Sequence, residues 1–540
     1  MTVARLRGVV AVAPESSGFA ADWAWALPRA ASFLPRHPAR ESAWTERIAE
    51  VASLPPSRAL LERARADASR LGADARALAS ADALLSGDAL CVTAGQQPGL
   101  FLGPLFAVYK AWTAIELAAH LERRTGRRVV PLFWSAADDS DFAEIATAVL
   151  PEPDLRLMRL SLEGGELPAG GMVGDLSAAG TARALASAEG ALGAWPGWTS
   201  LAARAGAALE RARDHGEIAA ALLYGLTRDT GLLVVDGRWA ELRHAGAALF
   251  ARYAQQRAAV GESVRAAGRR LEAAGYRARI VDASTEQALF DARDGRRLPF
   301  EGTEAELLAR IAAAPETLSP SVVLRPLVQD SVLPNVATVA GPGEVAYHAQ
   351  LAFAYQSLGV GVPILFPRFE ATLVPDGVFD LAERRGVPPV DLVRDFDGAM
   401  KATAAAALPR DLRDALDALE GGLARSAEDT RSAAESLEAS LGAAAEEAFR
   451  RCREAVERFR ERAAQAVRNA DTRSDPSIRH YRELLRPRGV PQERVLSALT
   501  LDLAGAPEGM AEAVRRHVEG VMEGRPAHWL APLIAEEKRP

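Results

Sequence analysis

Three stretches carry residues whose types and spacing could do chemistry. The first, TAGQQPGLFLGPLFAVYKA (residues 93–111), is a glycine-rich loop running into a helical pattern that contains Tyr109 and Lys110. Lysine is scarce in this chain: Lys110, Lys401 and Lys538 are the only three, leaving 61 of the 64 basic residues as arginine. A compact ammonium two turns into such a helix suits a phosphate or carboxylate, which a guanidinium fork grips differently. Snorkelling from an apolar helix face to solvent is the structural alternative, and both stay open. Gly95, Gly99 and Gly103 permit a wide turn and close ligand approach, and the amides of a helix beginning near Pro104 favour an anion. The loop matches neither the Walker A nor the G-x-G-x-x-G pattern, so on spacing alone it is a weak nucleotide signal.

The second stretch, WSAADDSDFAEIA (134–146), clusters Asp138, Asp139, Asp141 and Glu144 just after an apolar run. Carboxylates at the end of a strand can bind a substrate ammonium, hold Mg²⁺ or act as a general base. Asp141 or Ser140 would serve equally well as the cap of a following helix. The third stretch, LRPLVQDSVLPNVATVAGPGEVAYHAQL (324–351), gathers Arg325, Gln329, Asp330, Asn335, Glu344, Tyr347 and His348 around a strand and a Gly-Pro-Gly turn. A lone histidine such as His348 is more often structural than catalytic. The eight histidines show no zinc-ligand spacing, and no G-x-S-x-G elbow is present.

The elements that must position these residues follow from apolar patterning. Between about residues 86 and 369, the runs LCVTA (90–94), VVPLFWSA (129–136), LLVVD (232–236), ARIVDA (278–283), NVATVAG (335–341) and VPILFP (362–367) alternate with helical patterns. This predicts an α/β fold, a Rossmann-like core with a mostly parallel sheet covered on both faces. An irregular insertion rich in Gly, Ala and Pro is expected near 151–220. The expected domains are a core over 1–380, a helical arm over 381–473, and a segment over 474–540 that packs back on the core. In the arm, Leu412, Leu416, Leu419 and Leu423, then Ala434, Leu437 and Leu441, step at coiled-coil spacing. A second seam, Ala448, Cys452, Ala455 and Phe459, predicts an antiparallel hairpin turning around Ser440 to Gly442, with one continuous helix as the alternative.

Composition narrows the function classes. With 49% hydrophobic and 25% charged residues, the 540-residue chain reads as a soluble protein with a sizeable core. A net charge of −7 argues against a general nucleic-acid or anionic-membrane binder. The N-terminus lacks signal-peptide features and no apolar run reaches membrane length, which predicts a cytoplasmic protein. The two cysteines, Cys91 and Cys452, offer neither a disulfide framework nor a C-x-x-C site.

Taken in order, GQQPGLFLGPLFAVYKA, FWSAADDSDFAEI, the 324–351 stretch, VPILFPRF and RGVPQER resemble the bacillithiol biosynthesis cysteine-adding enzymes, the cysteine ligases of the BshC family. The resemblance covers most of the chain and implies connecting-peptide insertions in the core, a coiled-coil arm and a homodimer. It also implies amide formation between L-cysteine and the amine of glucosaminyl-malate. Making an amide from a carboxylate in water requires activation, most simply by ATP with Mg²⁺; the activator itself stays open, and no residue is named as a metal ligand. On that chemistry Lys110, Asp139 and Asp141 are the candidate catalytic residues. Gly95, Gln96, Gln97, Gly99, Gly103, Tyr109, Arg325, Gln329, Asn335, Glu344, Tyr347 and Arg368 are the candidate substrate-binding ones. The family pattern after the acidic strand is acid-Asp-His-Asp, whereas this chain reads Asp138-Asp139-Ser140-Asp141. A general base at the histidine position would have to be replaced by Asp139 or Asp141. A nucleotide-dependent ligase or transferase acting on another amine, and a non-catalytic coiled-coil scaffold, are the rival functions.

Overall fold

The computed structural model describes residues 6–11, 18–163, 167–280, 287–505, 510–525 and 529–532. The chain separates into two compact units, Arg7–Pro153 with Leu157–Leu373 and Val490–Pro540, and Val374–Gly489 with Met1–Leu6 and Asp154–Arg156. The change of unit falls at residue 373, earlier than the expected 380, and residues 474–489 go with the helical unit.

The first unit is built on a five-stranded sheet. Its strands are β1 (Leu90–Gln96), β2 (Val129–Ser135), β3 (Leu233–Asp236), β4 (Asn335–Ala340) and β5 (Ile364–Pro367). They lie in the order β5-β4-β1-β2-β3, every pair parallel. All seven residues of β2 and all four of β3 are buried, as continuous apolar runs require when helices cover both faces. Of the sixth expected strand, residues 278–280 are irregular and 281–283 lie outside the described residues. Nor is the 151–220 insertion irregular. After an antiparallel hairpin, Thr147–Pro151 with Leu157–Ser161, it forms helices Ala178–Leu192, Trp198–Arg211 and His215–Leu226. Its alanines, read as loop composition, are strong helix formers.

Four helices matter for the site or its support: α1 (Leu105–Thr125), α2 (Ala240–Ala273), α3 (Arg325–Val332) and α4 (Pro342–Ser357). Helix α1 is apolar almost all round, burying Leu105, Val108, Trp112, Ile115, Leu117 and Leu121, each contributing roughly 1.5–3 kcal/mol through burial. A lysine on this helix is therefore buried and must find acceptors inside the protein. Pro342 presets the first turn of α4.

In the second unit, α5 (Arg410–Leu437) and α6 (Ala439–Ser474) form the expected hairpin, but the turn is the single extended residue Glu438 (φ −158°, ψ 130°). The helices meet along Leu416 and Ala464, and Arg460 of α6 reaches Asp417 and Glu420 of α5. The predicted second seam is not buried: Ala448, Cys452, Ala455 and Phe459 face solvent in the single chain, as do Leu419 and Leu437. Heptad spacing fixes which residues share a face but not which partner covers it.

Asp330, Asn335, Gln329, Thr93, Tyr355 and Arg47 form a buried polar network. Asp330 accepts from Asn335 Nδ2 (2.6 Å) and Tyr355 OH (2.5 Å), Gln329 donates to Thr93 Oγ1 (2.8 Å), and Arg47 donates to the Asn335 carbonyl. Burial raises the Asp330 carboxyl to about 6, against Arg47, Asn335 and Tyr355, which act to lower it. An acid with a raised folded value contributes stability fully below its unfolded value of about 4, and that contribution is lost as pH rises through about 6. Asp330→Asn, which cannot titrate, should therefore gain on the wild type by on the order of 3 kcal/mol between acidic and neutral pH. Denaturation midpoints of the two proteins across that range test this; a constant gap between them would mean that Asp330 ionises freely.

Candidate active site

In the order β5-β4-β1-β2-β3 the chain winds outward from β1 to β3 and then returns to the other side of β1, so the switch point lies between β1 and β4. Crevices at the carboxyl ends of strands flanking such a point are where open α/β sheets bind ligands. A cleft of about 570 Å³ opens there. It is lined by Gly95, Gln96 and Gln97 after β1, Asp138, Asp139 and Glu144 after β2, and Gly341 to Glu344 and Tyr347 at the start of α4. Phe106 and Lys110 of α1, Arg325, Arg368 and Arg494, with Arg279, Phe290 and Arg297, complete the wall.

Lys110 lies at the centre of this arrangement. Only 3% exposed, its Nζ pairs with Glu344 Oε2 (2.6 Å) and donates to Gly95 O and Gln96 Oε1, both at 2.9 Å. The anion expected beside this lysine is thus Glu344. Burial lowers the Lys110 pKa, while the Glu344 carboxylate counters it. Burial works to raise Glu344, but Lys110, the Gly341 amide and Arg325 together hold it below its ordinary range. The same carboxylate accepts the Gly341 amide (2.8 Å), joining the cap of α4 to the end of β1.

The acidic wall is tied to Lys110 by two glutamines. Gln96 donates to Glu144 Oε1 (3.0 Å) and to Gln97 Oε1, and Gln97 donates to Glu144 Oε2 (2.8 Å) and Asp139 Oδ2 (3.1 Å). Desolvation, with Asp141 and Asp139 nearby, raises the Glu144 carboxyl, against Lys110 and the Gln97 hydrogen bond, which act to lower it. Asp138 accepts from Ser319 Oγ (2.6 Å). Arg325 donates to Tyr347 OH (3.3 Å), and its charge is favoured by Tyr347, Glu344, Asp138 and Asp139 despite burial. No carboxylate pairs with Arg279 or Arg494 among the described residues.

Several expected residues lie elsewhere. Asp141 accepts the Glu144 amide (3.2 Å) as the cap of helix Phe142–Ile145 and does not line the cleft, and Ser140 is exposed. Asn335 begins β4 whereas the cleft lies past its end, roughly 20 Å away at about 3.3 Å per residue. Gln329, one turn beyond Arg325, belongs to the buried polar network around Asp330. Tyr109 points away and packs edge-on against Phe369. Gly99 and Gly103 shape the loop only: a Cβ on Gly99 would stand 2.6 Å from Gly103 Cα, and Gly103 has φ +66°. The expected anion seat at the start of α1 is closed, because the Leu105 amide donates to Leu496 O (2.7 Å). His348 is held neutral by burial, at about 4, with Nδ1 on the Glu344 carbonyl, and stacks on Tyr347.

Sequence patterning missed Arg279, Phe290, Arg297 and Arg494, whose places in the cleft arise only from tertiary folding. Glu144 did carry a signal, its spacing within the acidic run. Among the described residues no cluster of three or more His, Cys, Asp or Glu side chains is arranged to hold a metal, and no helix is long and apolar enough to cross a membrane.

Two family descriptions match this chain: Bacillithiol biosynthesis BshC, N-terminal Rossmann-like domain, over residues 9–369, and Bacillithiol biosynthesis BshC, C-terminal coiled-coil domain, over residues 371–505. Relatives named "Putative cysteine ligase BshC" include that of Koribacter versatilis, 34% identical over 74% of this chain and 76% of the relative. That of Salinibacter ruber is 29% identical over 88% of this chain and 90% of the relative. The parallel Rossmann-like sheet, the helical hairpin and the motifs that meet in the cleft all fall within the matched regions, and the chain belongs to the BshC family of bacillithiol biosynthesis.

Proposed function

We propose that this protein is a carbon–nitrogen ligase that joins the carboxyl group of L-cysteine to the amine of glucosaminyl-malate, the last step of bacillithiol synthesis. One observation carries the reading: a single cleft at the switch point of a BshC-family core gathers Asp138, Asp139 and Glu144 together with Arg279, Arg325 and Arg494. An ammonium-bearing sugar that also carries two carboxylates is complementary to such a set, its amine toward the acids and its malate end toward the guanidiniums.

Amide formation needs a neutral amine, an activated carboxyl group and a site that holds both in line. Asp139 and Glu144 bind the ammonium and take its proton, and Gln96 and Gln97 hold those carboxylates in register. Lys110 supplies a fixed positive charge at the end of β1 without reorganisation during the reaction. No protein nucleophile is required, which fits a cleft lined by neither cysteine. Mixing the purified protein with L-cysteine, glucosaminyl-malate, ATP and Mg²⁺, and searching by mass spectrometry for the cysteinyl amide, tests the reading; absence of product from folded protein would refute it.

Two further outcomes are expected. Lys110→Met should reduce turnover at least about 100-fold and, by removing the main counter-charge of the partly buried Glu344 while the Gly341 amide and Arg325 remain, cost about 1–3 kcal/mol of stability. Adding Glu344→Gln should restore most of the stability but not the turnover, so recovery of both would remove Lys110 from the mechanism. Glu144→Gln should lower kcat/KM by about 10² to 10⁴. Because a base with a raised pKa loses activity as pH falls through that value, the acid limb of the profile should move to lower pH in this variant. An unmoved limb would assign the proton transfer to another group.

A further inference from the structure

Arg494, the last residue of the RGVPQER stretch, follows the helical hairpin in the chain and lines the cleft. Gln492 is fully buried and clamps the backbone of Leu373 from both sides, accepting its amide (2.8 Å) and donating to its carbonyl (3.1 Å). Leu496 O takes the first amide of α1, Ser497 Oγ donates to Phe101 O, and the Ala498 amide donates to Gly103 O. Between these anchors stand Glu493 and Arg494. Glu493, 4% exposed, makes a two-point ion pair with Arg368, itself 3% exposed, at 2.9 and 2.5 Å. Arg368 in turn lies over the Phe106 ring, 5.6 Å from its centroid, which Lys110 approaches at 5.8 Å. A Cβ on Gly341 would stand 3.3 Å from Arg368 Nε, so the turn before α4 is shaped around this guanidinium.

We propose that Glu493 is a positioning residue of the cleft, fixing Arg368 against Phe106 and Gly341 and balancing its charge beside Lys110. We further propose that its neighbour Arg494 is a specificity-determining contact for an anionic group of the substrate. This rests on the ligase reading for the identity of the substrate, but not for the existence of the anion contact. Arg494 lines the cleft, is exposed to incoming ligand and has no carboxylate partner among the described residues. A guanidinium so placed takes a carboxylate or phosphate in a two-point contact. The charged and titratable groups acting on or beside Lys110 are Glu344 and His348 of α4, Arg325 of α3, Glu144 after β2, and Arg368. Arg368 also pairs with Glu370 (3.5 Å), but Glu493 holds it at two points; Arg368 and Arg325 disfavour the ammonium, so an Arg368 that keeps Glu370 and loses Glu493 would disfavour it further.

The test is calorimetric titration of the full-length protein with L-malate and, separately, with inorganic phosphate, from neutral to alkaline pH. Arg494→Gln should weaken anion binding about tenfold at unchanged melting temperature. Glu493→Gln should weaken it and also shift the alkaline loss of binding to lower pH, a change that a purely structural residue would not cause, with Glu493→Asp recovering part of both. Binding of malate but not phosphate, or the reverse, upholds the contact and assigns its chemistry. Wild-type affinity and pH dependence in both Arg494→Gln and Glu493→Gln would overturn the proposal. Failure of the wild type to bind either anion would overturn the Arg494 contact, and product formed from cysteine and glucosaminyl-malate by that same protein would leave the ligase reading standing.

Discussion

The buried pairing of Lys110 with Glu344 is the constraint on which the cleft depends. Removing both charges from water is costly unless geometry and further hydrogen bonds compensate. Here Lys110 uses three acceptors, and Glu344 also caps the helix that follows β4. That one contact joins the carboxyl ends of β1 and β4, the two strands between which the sheet reverses its order. It fixes a positive charge where the backbone already opens a crevice.

From Lys110 the polar wall spreads through side-chain amides rather than further charges. Gln96 and Gln97 present donors to Asp139 and Glu144 and an acceptor to the lysine, so two carboxylates and one ammonium are held apart at defined positions. Neutral intermediaries leave Glu144 with a raised pKa while its orientation is kept, the combination a proton acceptor needs. The serine at position 140 costs the cleft nothing in geometry, because that side chain faces outward and its amide supports Asp139 (2.7 Å).

The cleft is assembled from segments far apart in the chain, from residue 95 to residue 494. Strand ends and helix starts provide most of it. The exception is the stretch around Glu493, irregular in pattern and held by backbone clamps at Gln492, Leu496 and Ala498. Such a segment can place an arginine in a cleft only because its own amides and carbonyls are satisfied by the core.

How much of this was legible beforehand differs from element to element. The five strands of the sheet were written in continuous apolar runs, because a strand buried on both faces has no polar side to interrupt it. The family was legible in long motifs, and Lys110 in its rarity. Patterning could not distinguish the two ends of β4 or the faces of α3, and so Asn335 and Gln329 were expected in a cleft from which strand length separates the first and one helical turn the second. It could not tell a helix cap from a substrate ligand at Asp141, since the same short carboxylate does both. Nor could spacing show that the second seam of the helical hairpin would face solvent, or that Arg279, Arg297 and Arg494 would reach the cleft. The sequence by itself determined the parallel sheet, the helical character of the arm and the acidic and glycine-rich stretches, which follow from local periodicity and composition, and its long motifs carried the resemblance to the family. Only the tertiary structure decided which charges meet, because pairing across hundreds of residues depends on strand order and on which buried groups find partners.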